Sequence, residues 1–223
     1  VLPARKKTPS NGFRTRSISS VHHDTTTIEG SLQDLLPVSV EIARDRASVS
    51  LFCCLLSRHH YLGYGGTVGE NMKYLIRDRY GRLVSCLLFG SAAWTAACRD
   101  GYVGWTRESR ERNLHLVTNN MRFLVLPWVR VAHLASHILG IIVRRIRDDW
   151  MTAYGHPVVL LETFVDTTRF RGTCYRAANW RYVGRTKGRS RNDRYNNLHV
   201  PVKDMYLYPL TSHFREILAD GRR

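Results

Sequence analysis

Long apolar runs are scarce in this sequence. The longest, Leu134 to Val143, is interrupted by Ser136 and His137, and it is too short to span a bilayer. Neither an amphipathic membrane-binding helix nor a lipid anchor is evident. We therefore expect no membrane partner for this chain.

Acidic residues are also in short supply. Only 18 Asp and Glu stand against 34 Lys and Arg, which gives a formal net charge of +16. Such an excess favours a polyanionic partner, and nucleic acid is the commonest one. We predict that the partner is DNA. Because hydrophobic residues make up 43% of the chain, global disorder is excluded.

Cysteines are few, and they do not form a metal-binding motif. There are five of them, no C-x-x-C spacing occurs, and most lie in apolar runs. An odd number of cysteines without this spacing argues against a disulfide framework and against a structural zinc site. The pattern is typical of reduced thiols in a cytoplasmic protein.

Periodicity divides the chain into a tail and one domain. Residues 1–30 are polar, basic and aperiodic, which predicts a flexible tail, and residues 31–223 form the predicted domain. Hydrophobic spacing then predicts helices and strands in a mixed order. The predicted elements are helix Ala43–Ser57, strands Met72–Asp78 and Arg82–Phe89, helices Gly90–Asp100 and Thr106–Asn113, strand Met121–Trp128, helix Ala132–Tyr154, strand Val158–Leu161, helix Arg169–Asn179, strands Trp180–Val183 and Pro201–Leu210, and helix His213–Leu218. This order predicts a single α+β or α/β domain with a mixed central sheet and flanking helices, and we favour the α+β class.

Two carboxylates mark the end of a predicted core strand. Glu162 and Asp166 follow the apolar run Val158–Leu161. Carboxylates at such a place are costly to bury unless they are paired, bind a metal or take part in chemistry. If they converge at the strand end, they can hold Mg²⁺ for phosphodiester cleavage. The alternative for Glu162 is an ion pair with one of the many arginines.

A histidine and a tyrosine are further catalytic candidates. His59 and His60 precede a glycine-rich loop, and at most one of them can face inward from a helix. His60 can serve as a general base or a metal ligand, or a histidine can simply cap the helix. Tyr175 can act as a nucleophile, or it can pack in the core with its hydroxyl bonded.

Polar, aromatic and cationic residues form a candidate nucleic-acid-binding set. Amide and guanidinium groups can contact bases or phosphates, and aromatic rings can stack on unpaired bases. The alternative for Asn120 and Arg122 is a turn with an ion pair, and the alternative for Trp180 is core packing. The set consists of Asn120, Arg122, Arg176, Trp180, Arg185, Lys187, Arg189 and Arg191.

The order of elements from Met121 to Val183 resembles the second half of the GCN5-related acetyltransferase fold. Arg122 to Val129 corresponds to that family's central strand, which ends in Val-x-Pro, and Tyr175 lies where its last helix carries a tyrosine. The family's glycine-rich loop for the coenzyme A pyrophosphate has no counterpart, because residues 129–135 contain no glycine. We therefore expect the fold without acetyl-CoA.

Seven blocks between Arg58 and Leu218 resemble the DruA family of Druantia anti-phage systems and a related bacterial domain found near mobile elements. The blocks are residues 59–63 (HHYLG), 90–94 (GSAAW), 119–124 (NNMRFL), 127–128 (PW), 134–137 (LASH), 161–166 (LETFVD) and 172–180 (GTCYRAANW). This resemblance implies a bacterial phage-defence or DNA-mobility setting, with other subunits of such a system as partners.

These observations together predict a DNA strand-processing enzyme of the transposase or nickase type. Its site comprises Glu162, Asp166, His60 and Tyr175, and either water or Tyr175 can be the nucleophile. One alternative is a non-catalytic DNA-binding subunit that recruits a helicase or nuclease. Acyl-CoA-dependent acetyl transfer is a third hypothesis, and a homo-oligomer is left open.

Overall fold

Strands and helices occupy most of the chain in the computed structural model, which describes residues 18–186, 188 and 201–220. The strands are β1 (Ile28–Gly30), β2 (Ser39–Ile42), β3 (Asn71–Arg77), β4 (Leu83–Ser91), β5 (Val117–Val125), β6 (Val129–Val131), β7 (Leu160–Asp166), β8 (Arg181–Arg185) and β9 (Lys203–Pro209). The helices are α1 (Leu32–Leu35), α2 (Arg46–His59), α3 (Ala97–Val103), α4 (Arg107–Asn113), α5 (Leu134–Tyr154), α6 (Thr173–Ala177) and α7 (Phe214–Asp220).

One mixed sheet contains seven of these strands, in the order β2-β3-β4-β5-β7-β9-β8. Neighbouring strands β5 and β7 are parallel, whereas β7, β9 and β8 follow one another in antiparallel pairs. Strands β1 and β6 form a separate parallel pair. The predicted α+β class with a mixed sheet is confirmed.

The first of two compact units comprises Val1–Gly90 and Met121–Ala135. Helix α2 begins at the N-cap Asp45, whose side chain accepts from the backbone of Ala47 and Ser48. Its apolar face buries Phe52 and Leu55 completely. In the predicted hairpin β3–β4, the Asp78 carboxylate accepts hydrogen bonds from the backbone N–H groups of Tyr80 and Arg82 in the turn.

The second unit comprises Ser91–Asn120 and Ser136–Arg223. Its core contains residues of α3, β7, β9 and α7, together with the segment that leads into β5. These buried residues are Val103, Trp105, Leu116, Val117, Val159, Leu160, Met205, Leu207, Phe214 and Leu218. Strands β5 and β7 pair from Val117 with Leu160 to Asn119 with Glu162, while both strands continue beyond these positions.

The observed elements differ from the predicted ones in three informative places. The run from Gly90, predicted as a helix, is the end of β4 and an irregular loop, and α3 begins only at Ala97. Strand β7 continues to Asp166, so Glu162 lies inside it rather than after it. Residues 28–30, predicted as tail, form β1, which is anchored by its pairing with β6. Three-residue strands carry too little periodic signal to be predicted.

None of the described helices combines the length and the apolar character needed to cross a membrane.

The turn before α6 generates a stability prediction. Gly172 has φ of 65°, and a Cβ there would lie 2.7 Å from the Tyr206 hydroxyl. Gly155 also has positive φ (76°), but a Cβ there meets nothing within 4 Å. We expect Gly172→Ala to lower the free energy of unfolding by more than the roughly 1–2 kcal/mol of the left-handed backbone alone.

Gly155→Ala is the matched control, because it carries the backbone penalty without the contact. Urea unfolding of both variants gives the difference that belongs to Tyr206. Equal losses of stability would contradict the close packing of Tyr206 on this turn.

Candidate functional site

Strand β7 organises the candidate site, because successive side chains along a strand point to opposite faces of the sheet. Glu162 therefore lies on one face, and Thr163 lies on the other. Both residues are buried, at 0% and 2% exposure. Two separate groups of polar residues follow from this alternation.

Glu162 is bound on its face by a buried arginine. Its Oε2 accepts from Arg99 Nη1 at 2.9 Å, and both side chains are completely buried. Its Oε1 accepts from the Ala93 N–H at 2.7 Å. Arg99 Nη1 also donates to the Ala93 carbonyl at 2.7 Å. The ion pair thus holds both backbone groups of a single residue, Ala93.

Arg99 connects this pair to a second carboxylate. Asp100 Oδ1 accepts from Arg99 Nε at 3.0 Å and from the indole N–H of Trp105 at 3.0 Å. Asp100 Oδ2 accepts from the Ala96 N–H at 3.1 Å. The guanidinium also lies 5.4 Å from the Trp105 ring centroid, within the range of cation–π attraction.

Burial and charge act in opposite directions on Glu162. Complete removal from water raises the pKa of this carboxyl, whereas the Arg99 guanidinium and the Ala93 N–H oppose that rise. Both oxygens already accept hydrogen bonds from the protein. The residue therefore has a structural role in this network.

Asp166 stabilises the turn that follows β7. Its Oδ1 accepts from the Thr168 N–H at 3.1 Å and from the Thr168 hydroxyl at 2.6 Å. Its backbone carbonyl accepts from the N–H groups of Arg169 and Phe170. Aspartate is well suited to such a turn, because its short side chain reaches the backbone two residues ahead.

The two carboxylates do not converge. Both lie on β7 four residues apart, so their Cα atoms are separated by about 13 Å at roughly 3.3 Å per residue. Within the described ranges, no group of three or more His, Cys, Asp or Glu side chains can hold a metal ion. The predicted Mg²⁺ site at Glu162 and Asp166 is therefore wrong, because the strand extends where a loop was expected.

A tyrosine and an asparagine meet on the opposite face of β7. The Tyr175 hydroxyl donates to Asn120 Oδ1 at 2.6 Å, and Thr163 Oγ1 lies 3.4 Å from that hydroxyl. Thr163 Oγ1 also lies 3.1 Å from the Asn120 carbonyl. The Tyr175 ring packs against Trp180 and Tyr206, with centroids 5.1 and 6.0 Å away. Helix α6 thereby places a phenolic proton at a defined buried position.

Asn119 contributes a polar atom without a donor. Its Oδ1 is buried and accepts no hydrogen bond from any described residue. The residue occupies the last position at which β5 pairs with β7, opposite Glu162. A buried acceptor of this kind is costly unless a ligand or water supplies a donor.

His60 and Arg122 belong to the first unit. His60 Nδ1 accepts from the Leu62 N–H at 3.2 Å, just after the end of α2. Burial, together with the charge of Arg122, lowers the pKa of His60 to about 3. Its imidazole is therefore neutral at pH 7 and too weak a base for efficient proton abstraction. Arg122 donates to the carbonyls of Gly63 and Met121 at 3.2 and 2.7 Å.

The remaining nucleic-acid-binding candidates have different surroundings. Trp180 is 3% exposed, packs against Tyr175 and Tyr208, and therefore offers no stacking surface. Arg176 is exposed and donates to the Arg171 carbonyl at 2.7 Å. Arg185 is also exposed and pairs with Asp204 at 2.9 Å. Lys187, Arg189 and Arg191 lie outside the described residues.

Sequence reasoning missed the partners that define both groups. Arg99 is one of 34 cationic residues, and nothing in its neighbourhood marks it as the partner of Glu162. Thr163 was passed over because it lies between the two carboxylates and carries no charge. The alternation along a longer strand β7 is the signal that could have separated Glu162 from Thr163.

The buried pair generates a prediction about stability. Glu162→Gln keeps the shape of the side chain but leaves Arg99 buried beside a neutral amide. Loss of one partner from a buried pair costs about 3–5 kcal/mol of unfolding free energy. Urea unfolding of Glu162→Gln, Arg99→Met and the double variant should show strong coupling between the two sites.

The exposed pair Arg130–Glu29, also 2.9 Å long, is the matched control. Arg130→Gln should change stability far less, since water replaces the lost partner. If both substitutions had equal effects, the buried pair would not have the structural role assigned here.

Solved structures with a similar fold are acetyltransferases. Spermidine N-acetyltransferase from Vibrio cholerae, in complex with CoA and spermine, matches with a TM-score of 0.51 and 6% identity, over 79% of this chain and 98% of that one. A spermidine/spermine N-acetyltransferase of the same organism, in complex with manganese ions, matches with a TM-score of 0.46 and 8% identity, over 80% and 96%. The predicted acetyltransferase-like fold is confirmed.

This likeness corrects the two chemical predictions. Phosphodiester cleavage of the nuclease or transposase type is wrong, because the fold is that of acetyltransferases. The expected absence of acetyl-CoA is also wrong, since a structure with this fold was solved with CoA. His133 adopts the left-handed conformation (φ 63°) immediately before α5, although this conformation usually favours glycine.

Family membership rests on the sequence itself. No curated protein matches the chain. The sequence profile of the family described as Druantia protein DruA matches residues 3–200, which is most of the 223 residues. The family suggests a role in phage defence. The chain therefore belongs to the Druantia protein DruA family.

Proposed function

We propose that this chain is a CoA-dependent acyltransferase that acts in phage defence. The observation that carries the proposal is the hydrogen-bonded hydroxyl of Tyr175, placed beside β5 and β7 in a fold of the acetyltransferase type. Family membership supports the defence role. We further propose a cytoplasmic location, which the five free cysteines support.

The residues of the second unit fit a CoA group in one testable respect. Asn119 Oδ1 is a buried acceptor that needs a donor, and it lies at the last paired position of β5 and β7. The pantetheine arm of CoA carries amide N–H groups, which are donors of the required kind. Asn119 would therefore hold this arm from the Glu162 face of the sheet, because Asn119 and Asn120 are consecutive on β5 and point to opposite faces.

Tyr175 has the chemistry expected of a proton donor. When bound, an acyl-CoA supplies the acyl group as a thioester. Tyr175 holds a proton at its hydroxyl oxygen, and Asn120 Oδ1 at 2.6 Å orients that proton. Tyrosine is among the side chains that serve as general acids, and acyl transfer leaves a group that has to be protonated. The buried position keeps competing water away from the hydroxyl.

Removal of the Tyr175 hydroxyl by substitution gives the central prediction. Tyr175→Phe keeps the aromatic packing but deletes the hydroxyl. We expect acyl transfer to fall about 10²- to 10⁴-fold, which is the usual contribution of general acid catalysis. The measurement is release of free CoA thiol from acetyl-CoA with a panel of amine-containing acceptors.

Tyr208→Phe is the control, because Tyr208 is a half-buried phenol on β9 that packs against Trp180 rather than Asn120. It should leave the rate unchanged. Isothermal titration with acetyl-CoA should show saturable binding for wild type and for Tyr175→Phe. Absence of saturable binding, or equal rates for wild type and Tyr175→Phe, would refute the acyltransferase proposal.

We propose nucleic-acid binding as a second function, supported by a specific feature of the charges. The chain carries a formal net charge of +16. Exposed Arg181 donates to the Tyr102 hydroxyl at 2.9 Å, and exposed Arg215 donates to the Tyr102 carbonyl at 3.1 Å. Neither has a carboxylate partner among the described residues. Other subunits of the defence system remain proposed partners.

The salt dependence of binding tests this second function. Each phosphate contact on a single strand contributes about 0.7 to the slope of log K against log salt. We expect Arg181→Gln with Arg215→Gln to weaken binding and to reduce that slope. Arg107→Gln is the control, because Arg107 is equally exposed but already pairs with Glu111 at 2.9 Å. A slope that the double change leaves unaltered would exclude these arginines from the contact.

A further inference from the structure

Trp94 is a large aromatic side chain presented to solvent. Its exposure is 48%, whereas Trp105, Trp150 and Trp180 are at most 9% exposed. Trp94 lies in the loop between β4 and α3, among the small residues Ser91, Ala92 and Ala93. It makes no ring contact or hydrogen bond with any part of the chain that the structure describes. An exposed indole that has no partner among the described residues is available to a ligand.

The residue before Trp94 is fixed on both sides of its backbone. The Ala93 N–H donates to Glu162 Oε1, and the Ala93 carbonyl accepts from Arg99 Nη1, each at 2.7 Å. A loop of small residues would otherwise be free to move, since it has few side-chain contacts of its own. The buried pair therefore determines where Trp94 leaves the surface.

The cost of that pair indicates a positioning role. Burial of two charges gains little stability over apolar residues of similar size, because desolvation offsets the attraction. Such pairs are better explained where they specify a particular geometry. Here the specified geometry is that of Ala93, and the adjacent side chain is the exposed Trp94. The pair thus holds the backbone next to this indole.

Two arginines of β8 lie along helix α3, which follows the loop that carries Trp94. The Cys98 thiol on α3 donates to the Arg185 carbonyl on β8 at 3.2 Å, and Arg181 reaches the Tyr102 hydroxyl at the other end of α3. Gly184 permits this approach, because a Cβ there would lie 2.8 Å from Cys98 Sγ. Helix α3 and strand β8 therefore run side by side, with Arg185 nearest to the Trp94 end.

A third arginine, Arg215, also lies beside helix α3. Together, Arg185, Arg181 and Arg215 form what we call the cationic edge. The guanidinium of Arg215 lies 4.5 Å from the ring centroid of Tyr102, and Arg215 is exposed. Arg185 is partly neutralised by Asp204, whereas Arg181 and Arg215 bond to groups of Tyr102 that carry no charge. The cationic edge thus follows the loop that presents the exposed ring of Trp94.

We propose that Trp94 stacks on an unpaired base of a single-stranded nucleic acid, whose phosphates bind Arg185, Arg181 and Arg215. An exposed aromatic ring beside a cationic row is the combination that recognises single strands. Bases in a duplex are already stacked on one another, so their faces are not accessible to an indole. This inference rests on the proposed nucleic-acid binding and specifies the surface that performs it.

Binding of a fluorescein-labelled single strand to the full chain, followed by anisotropy, tests the proposal. Trp94→Ala should weaken binding about tenfold or more, as expected for loss of one stacked base. Trp94→Phe should restore part of the affinity, because it retains a ring. Tyr80→Ala is the control for an exposed aromatic ring elsewhere on the chain. Tyr80 is 68% exposed, but its ring already lies against the guanidinium groups of Arg79 and Arg82, so this change should leave affinity unchanged.

A double-mutant cycle tests the positioning role of Glu162. Glu162→Gln, assayed where circular dichroism shows the variant to be folded, should weaken binding in the wild-type background. It should have no further effect when Trp94 is already alanine, because Glu162 acts through Trp94. A merely structural role would weaken both backgrounds equally and would overturn the positioning role.

The outcomes separate this inference from the function on which it rests. If the chain binds no nucleic acid, both fail. If it binds with steep salt dependence but Trp94→Ala has wild-type affinity, nucleic-acid binding stands and the stacking proposal is overturned. Duplex binding as tight as single-strand binding would also overturn it, because stacking requires an unpaired base.

Discussion

The buried ion pair between Arg99 and Glu162 is the interaction on which the second unit depends. It joins a strand in the sheet to the segment that follows β4, and it does so without solvent. Because both charges are fully desolvated, each requires the other to remain where it is. The loop at Ala93, the start of α3 and the Asp100–Trp105 contact all follow from the position of one guanidinium.

Strand β7 separates two kinds of polar chemistry by simple alternation. Glu162 points to the face that carries the ion pair, and Thr163 points to the face that carries the Tyr175 hydroxyl. A carboxylate beside Tyr175 would compete for its proton, whereas Asn120 accepts that proton in a hydrogen bond without removing it. The dipeptide Glu162–Thr163 therefore places a carboxylate beside Arg99 and a neutral hydroxyl beside Tyr175, for which we propose a role in acyl transfer.

Local signals in the sequence predicted much of the fold, but long-range partners were beyond their reach. The hairpin β3–β4 and helix α5 were predictable, because turn residues and a 3.6-residue period are encoded locally. Arg99 and Glu162 are 63 positions apart, and no local pattern links them. The small residues of Gly90–Asp100 predict a helix, yet the conformation at Ala93 is held by a hydrogen bond to Glu162 on β7 and by another from Arg99.

The same alternation makes the two proposed functions separable. Tyr175 and Trp94 are associated with opposite faces of β7. The hydrogen bonds that hold Ala93, next to Trp94, share no side chain with the hydrogen bonds of Tyr175. A substitution at Tyr175 therefore leaves the Ala93 contacts intact, and a substitution at Trp94 leaves the Asn120 contact intact. Because Tyr175 and Trp94 have separate contacts, loss of one activity after a substitution at either residue can be assigned to that residue.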